Sequence, residues 1–216
     1  MGYVILGWDG EDAAAPARRA AVRDAHLKVI TRWVEAGRLH LAVPLFRADG
    51  SAAGSIMILN DEEEVGAREY LLEEPFAREG VWLSYQMRPY RIAPMNYQPL
   101  PSGPTPTGPT LTGMTHCVVI AEDAEDSVGR RLAVREPHMK RVMGFAEDGT
   151  LACGGALLGA KGEMVGSIAI TRHATEEAAR AWWQDDPYVQ AGVWQKLRFF
   201  PTRFAPLPYQ PLPKPE

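Results

Sequence analysis

Apolar positions in the first hundred residues follow two different periods. Tyr3–Trp8 is a short, continuous apolar run and reads as a buried strand. From Pro16 to Glu35 the apolar side runs at helical spacing through Val22, His26, Val29, Ile30, Trp33 and Val34. Pro16 suits the first turn of that helix and Gly37 its C-terminal cap. Leu39–Phe46 predicts a second strand, Ala48-Asp49-Gly50-Ser51 a turn, and Gly54–Leu59 a third strand. Asp61–Leu72 predicts a second helix, with acids in its first turn where the helix dipole favours them. Glu74-Pro75 ends it, because proline disfavours helix at the residue before it. Val81–Tyr90 is a fourth strand. The order β-α-β-β-α-β is that of the ferredoxin-like plait.

The pattern then recurs. A shift of 112 residues lays the chain on itself: Arg18-Arg19 on Arg130-Arg131, His26 on His138, Gly54-Ser55-Ile56 on Gly166-Ser167-Ile168, Gly80-Val81-Trp82 on Gly192-Val193-Trp194, and Tyr97-Gln98-Pro99-Leu100-Pro101 on Tyr209-Gln210-Pro211-Leu212-Pro213. Two copies of so long a period mark a domain duplication and not a solenoid. The expected division is a first repeat over 1–101, a Pro/Gly/Thr linker over 102–113, and a second repeat with its tail over 114–216. Where polyproline-like, the linker extends about 3.1 Å per residue and spans about 35 Å, enough to cross a small domain. The recurring Tyr-Gln-Pro-Leu-Pro segment belongs to the repeat and is expected to dock, with Tyr97 and Tyr209 buried in equivalent places.

In a plait both helices lie on one face of the sheet. Here the strands are apolar on both faces, as in Ile56-Met57-Ile58-Leu59 and Cys117-Val118-Val119-Ile120, whereas a sheet with one wet face alternates. The expected fold is therefore α+β: two ferredoxin-like repeats packed sheet to sheet, face to face or closed into a barrel, as a pseudo-dimer within one chain. A further homodimer is compatible with this.

Composition narrows the function classes. With 46% hydrophobic and 23% charged residues among 216, the chain is an ordinary globular sequence. A net charge of -4 and no basic stripe argue against nucleic-acid binding. No apolar run approaches about 18 residues, so no membrane span is expected. The N-terminus lacks the basic region of a signal peptide. Two cysteines, Cys117 and Cys153, without a Cys-x-x-Cys spacing, give neither a disulfide framework nor a cysteine-rich zinc site. The expected setting is the cytoplasm.

Candidate chemistry centres on His26 and His138. Each lies on the apolar side of the first helix, with an arginine (Arg23, Arg135) one turn earlier on the same face. Each is open to two readings: a core histidine satisfied by the backbone, or a general acid or base suited to neutral pH. Glu74-Pro75 and Asp186-Pro187 likewise read either as helix stops or as carboxylates that orient the histidines. His40, His116 and His173 have no partner at metal-ligand spacing, and no metal or cofactor is expected.

These stretches resemble the YCII-related family of the dimeric α/β barrel superfamily. Arg130 to His138, Gly166-Ser167-Ile168, Glu177-Ala178-Ala179, Asp186-Pro187-Tyr188 and Ala191-Gly192-Val193 carry the resemblance, and the first repeat fits more loosely. The resemblance implies a pocket with a histidine and an aspartate, which would be His138 with Asp186, and His26 with Glu74. It also implies chemistry on small aromatic compounds, such as the dehydrochlorination carried out by some relatives. The second repeat is the stronger candidate because it keeps the family's Asp-Pro-Tyr. Three functions follow: a cofactor-independent acid–base enzyme (lyase- or isomerase-like) acting on an acidic or phenolic small molecule, with Arg135 and Arg23 holding an anionic group; a non-catalytic binder of such a ligand; or a structural module whose histidines are core.

Overall fold

The structure, a computed structural model, describes residues 1–101 and 113–215. Most of the linker expected at 102–113 lies outside the described residues. The first repeat runs β1 (Gly2–Asp9), α1 (Ala15–Glu35), β2 (Leu39–Phe46), β3 (Ala52–Leu59), α2 (Glu64–Glu73), α3 (Pro75–Arg78) and β4 (Trp82–Ile92). The second runs β5 (His116–Asp123), α4 (Ser127–Ala133), α5 (Arg135–Glu147), β6 (Leu151–Leu158), β7 (Met164–Thr171), α6 (Glu176–Trp183), α7 (Pro187–Gln190) and β8 (Trp194–Thr202). The α+β class and the β-α-β-β-α-β order expected from the apolar periods are present in both repeats.

The chain forms two compact units. Unit 1 contains Met1–Tyr90, residues 100–101 and Arg203–Pro211; unit 2 contains Arg91–Pro99, Gly113–Thr202 and residues 212–215. These units differ from the 1–101 and 114–216 repeats in their tails: residues 91–99 sit with unit 2, and 203–211 with unit 1. Burial supplies the reason. Leu207 is fully buried in the unit 1 core, beside Ile30, Trp33, Met57, Phe76 and Trp82.

In unit 1 the strands run antiparallel in the order β2-β3-β1-β4, and in unit 2 in the equivalent order β6-β7-β5-β8. Seven of the eight positions of β3 are buried in succession, as a strand covered on both faces requires. Gly54 and Gly166 are fixed by close approach. A Cβ on Gly54 would lie 2.0 Å from the Gly7 carbonyl oxygen, and one on Gly166 2.3 Å from that of Ala121.

The first helix differs between the copies. α1 is continuous for 21 residues and buries His26, Leu27, Ile30, Trp33 and Val34 along one stripe. In the second copy the helix breaks at Val134, which leaves helical geometry at φ -112°, ψ 12°. Pro137 accounts for the break. It has no N–H to offer the Ala133 carbonyl, and its ring collides with that carbonyl in an unbroken helix. The first copy has Ala25 at the equivalent place.

The acid-proline steps end one helix and begin another. Glu74 takes an extended ψ of 113° before Pro75, and its carboxylate then accepts the Phe76 amide, capping α3. Asp186 does the same for α7 through the Tyr188 amide. The tail tyrosines dock in equivalent places to different depths. Tyr97 is buried, its hydroxyl accepting from the Gly154 amide at 3.2 Å and lying 2.9 Å from the Ala93 carbonyl. Tyr209 is half-buried and donates to the Ala42 carbonyl at 3.1 Å.

Candidate functional site

His26 reaches Glu74 across 48 residues of sequence because α1 packs against α3, and His138 reaches Asp186 in the same way. His26 Nδ1 lies 2.8 Å from Glu74 Oε1. That oxygen also accepts the Phe76 amide at 2.9 Å, and Oε2 accepts the Tyr70 hydroxyl. Burial would raise the Glu74 carboxyl, but the electrostatic pull of the His26 ring and the hydrogen bonds from His26, Tyr70 and the Phe76 amide outweigh it and hold it below its ordinary value. An ionised carboxylate only accepts, so Nδ1 carries the proton, and the lone pair of neutral His26 is on Nε2. Burial, with the Glu74 charge next, pushes the Tyr70 hydroxyl well above 10, so it stays a donor.

In unit 2, His138 Nδ1 lies 2.9 Å from Asp186 Oδ1, which accepts the Tyr188 amide at 2.9 Å. Trp182 stands where the first copy has Tyr70. The other Asp186 oxygen is 3.8 Å from Arg141 Nε.

A second layer lies beside each pair. The His26 ring stacks on Phe76 at 3.9 Å, and the Arg19 guanidinium lies 4.4 Å from the Phe76 centroid. Arg19 is fixed by Asp9 at 2.6 and 2.8 Å and by Ser55 Oγ at 2.9 Å. Burial raises the Asp9 carboxyl against the opposing pull of Arg19. Unit 2 repeats the arrangement: His138 stacks on Tyr188 at 3.7 Å, Arg131 lies 4.5 Å from that ring, and Asp123 holds Arg131 at 2.7 Å.

The sequence reading did not single out Arg19, Asp9 and Ser55, or Arg131, Asp123 and Ser167. The repeated Arg-Arg and Gly-Ser-Ile motifs carried part of the signal. Asp9 and Asp123 were hidden because they stand 114 positions apart, against a repeat shift of 112: the first copy has two more residues between its first strand and first helix.

A cavity of about 740 Å³ opens in unit 1, walled by Arg19, Arg23, His26, Phe76, Arg203 and Phe204. Glu74 stands behind the histidine, fully buried. Of the predicted anion-holding residues, Arg23 is half-buried in the cavity wall, whereas Arg135 is exposed. This cavity lies at the first histidine. Ala52 lines it, and the counterpart of Ala52 in the second repeat, Met164, places its sulfur 3.6 Å from Arg131. Burial pushes the Cys117 and Cys153 thiols up to about 12 and His116 down to about 4. No cluster of three or more His, Cys, Asp or Glu side chains able to hold a metal occurs among the described residues. No described helix is long and apolar enough to cross a membrane.

The two plaits agree with the comparison to known families. The YCII-related domain matches residues 1–91 and again 114–203, and the chain belongs to that family. Among its relatives, Protein YciI of Escherichia coli O6:H1 is 36% identical over 93 residues, covering 40% of this chain and 94% of that protein. A protein of Haemophilus influenzae is 32% identical over 83 residues, covering 36% of this chain and 85% of its own length. Among solved structures, a heme-binding protein from Thermus thermophilus superposes with a TM-score of 0.55 at 12% identity, covering 94% of this chain and 90% of that one. A chlorite dismutase variant from Candidatus Nitrospira defluvii gives 0.53 at 12% identity over the same shares. At such identities the likeness is one of fold alone.

Proposed function

We propose that the chain is a cytosolic small-molecule enzyme that moves protons with the His26–Glu74 pair of unit 1, acting on an acidic or phenolic aromatic compound. One observation carries this reading: a histidine whose Nδ1 is held by an ionised, buried carboxylate forms part of the wall of a 740 Å³ cavity. His26 Nε2 takes the proton of a substrate hydroxyl, and Glu74 stabilises the imidazolium that results. The electron pair left on the oxygen either reaches a ring carbon that takes the proton back, which is an isomerisation, or expels a leaving group that departs with the proton, which is a lyase step. Phe76 and Phe204 offer apolar surface to the ring.

The test is a panel of hydroxylated benzoates and quinols followed by ring absorbance. At least one should turn over, and His26→Gln should lower kcat by about 100-fold or more. An equal loss from His138→Gln alone would move the chemistry to the second repeat. Binding without turnover in the wild-type protein would leave a non-catalytic binder and overturn the enzyme reading.

A further inference from the structure

We propose that Tyr70 is a positioning residue of the His26 site, acting through Glu74. Its neutral hydroxyl holds the buried carboxylate and leaves it its whole charge, whereas in the second repeat the guanidinium of Arg141 does the holding. This deepens the acid–base reading and rests on its choice of site, though not on turnover.

Glu74 is fully buried and ionised, and its two oxygens have different partners. Oε1 faces His26 Nδ1 and accepts the Phe76 amide. Oε2 accepts the Tyr70 hydroxyl, its one hydrogen-bond partner among the described residues. Tyr70 is itself fully buried, and two contacts fix its aim. The Glu74 amide donates to the Tyr70 carbonyl at 2.9 Å, which sets the two side chains one helical turn apart on the same face. The Trp33 ring packs edge-on against the Tyr70 ring at 5.1 Å. A buried anionic oxygen left without a donor is costly. Loss of the hydroxyl therefore frees Oε2, and with it the orientation of the carboxylate toward His26.

The second copy solves the same problem with other residues. The 112-residue shift puts Asp186 in place of Glu74, Trp182 in place of Tyr70 and Arg141 in place of Val29. The aspartate side chain is one methylene shorter, and both of its oxygens face His138 Nδ1, at 2.9 and 3.1 Å. No hydroxyl is available from the indole at 182. Arg141, one turn after His138 on α5, takes its place: Nε lies 3.8 Å from the Asp186 carboxylate, and a terminal nitrogen donates to the Trp182 carbonyl at 2.8 Å. In unit 1 that helix position is the apolar Val29, packed against the core.

The two holding groups differ in charge. A hydroxyl satisfies a lone pair without bringing a charge, whereas a guanidinium offsets the charge of the carboxylate beside it. An imidazolium formed at His26 meets the undivided charge of Glu74. One formed at His138 shares Asp186 with Arg141. Glu74 and Tyr70 thus form a matched pair, in which the extra methylene carries Oε2 to the hydroxyl.

The readout is the Nδ1–H proton of each histidine, followed by NMR through its exchange with water at neutral pH on the full chain. His26→Gln and His138→Gln assign the two signals. Tyr70→Phe removes a single oxygen, and urea unfolding checks that it folds. It should speed exchange at His26 by about 10-fold or more, as expected for a lost hydrogen bond to a charged group, and leave His138 within about twofold. Arg141→Met should do the reverse, at His138 alone, and tests the same division without touching Tyr70. In a Glu74→Asp background, where the carboxylate no longer reaches the hydroxyl, Tyr70→Phe should add less than about threefold, because the two residues act as one unit. Where a compound is turned over, Tyr70→Phe should lower kcat by about 10-fold and leave KM within about twofold. Unchanged exchange at His26 in Tyr70→Phe, with only a loss of stability, would make Tyr70 a core residue and overturn the proposal. Equal changes at both histidines, or no change at His138 in Arg141→Met, would overturn it too. If the exchange effects appear while no compound is turned over, the positioning role stands and the acid–base reading falls.

Discussion

Glu74 holds its site with few atoms. One oxygen accepts both the His26 ring and the Phe76 amide, the other accepts Tyr70, and the backbone beside it is set by Pro75. Orientation of the histidine and the start of α3 therefore depend on a single carboxylate. Its ionisation should be visible in stability. The folded carboxyl sits below its ordinary value of 4.5, so near that pH the unfolded chain binds more protons. The stabilisation is present above the unfolded value near 4.5 and is lost as pH falls through the lower folded value. Glu74→Gln should thus be less stable than wild type at pH 7, by about 1.5–3 kcal/mol for weakened hydrogen bonds to a buried charge. The gap should close as the pH is lowered below 4.5. Urea unfolding of both proteins at pH 7 and in mild acid measures it, and a gap that stays constant with pH would show that the Glu74 charge is not what stabilises the site.

At the level of elements, one substitution separates the copies of the first helix. Ala25 is exposed on α1, so replacing it tests the backbone and little else. Ala25→Pro should break α1 as Pro137 breaks the second copy, at a cost of about 3 kcal/mol or more. Pro137→Ala should join α4 and α5, raise helicity and cause no loss of stability, as read by circular dichroism and urea unfolding. This difference also marks where the sequence was legible. Strands and helices followed from period alone, because burial of one stripe or of both faces dictates the spacing of Ile30, Trp33 and Val34, or the run from Ile56 to Leu59. The histidine–carboxylate pairs were legible because both partners recur at the same shift. The helix break was missed although Pro137 is itself a helix-ending signal, because the second copy was read by its match to the first, which has Ala25 there. The one-turn helices α3 and α7 were hidden for a related reason: the acid-proline step reads as a stop, and the carboxylate that caps the next turn has no periodic signature.

On the scale of the whole chain, the least legible feature is which tail completes which unit. Tyr97–Pro101 and Tyr209–Pro213 have the same sequence, so either segment suits either docking place, and no pattern within one repeat distinguishes them. Particular side chains carry the outcome. Leu207, from the second repeat, is fully buried in the unit 1 core, while Met95, from the first, is 3% exposed, its amide donating to the Pro213 carbonyl within unit 2. The tail that brings Leu207 also brings Arg203 and Phe204 to the His26 cavity, so the packing of one repeat's tail shapes the other repeat's site. Leu207→Ala removes a fully buried side chain and should cost about 2–5 kcal/mol. The informative readout is where the loss falls. Amide hydrogen exchange followed by mass spectrometry should show protection lost chiefly in β1, β2 and β3, in the unit that Leu207 packs into. If each repeat kept its own tail, β5, β6 and β7 would lose protection instead. Ligand binding at the His26 cavity should weaken in the same variant, because the tail whose residues 203–206 line that cavity is anchored by that leucine.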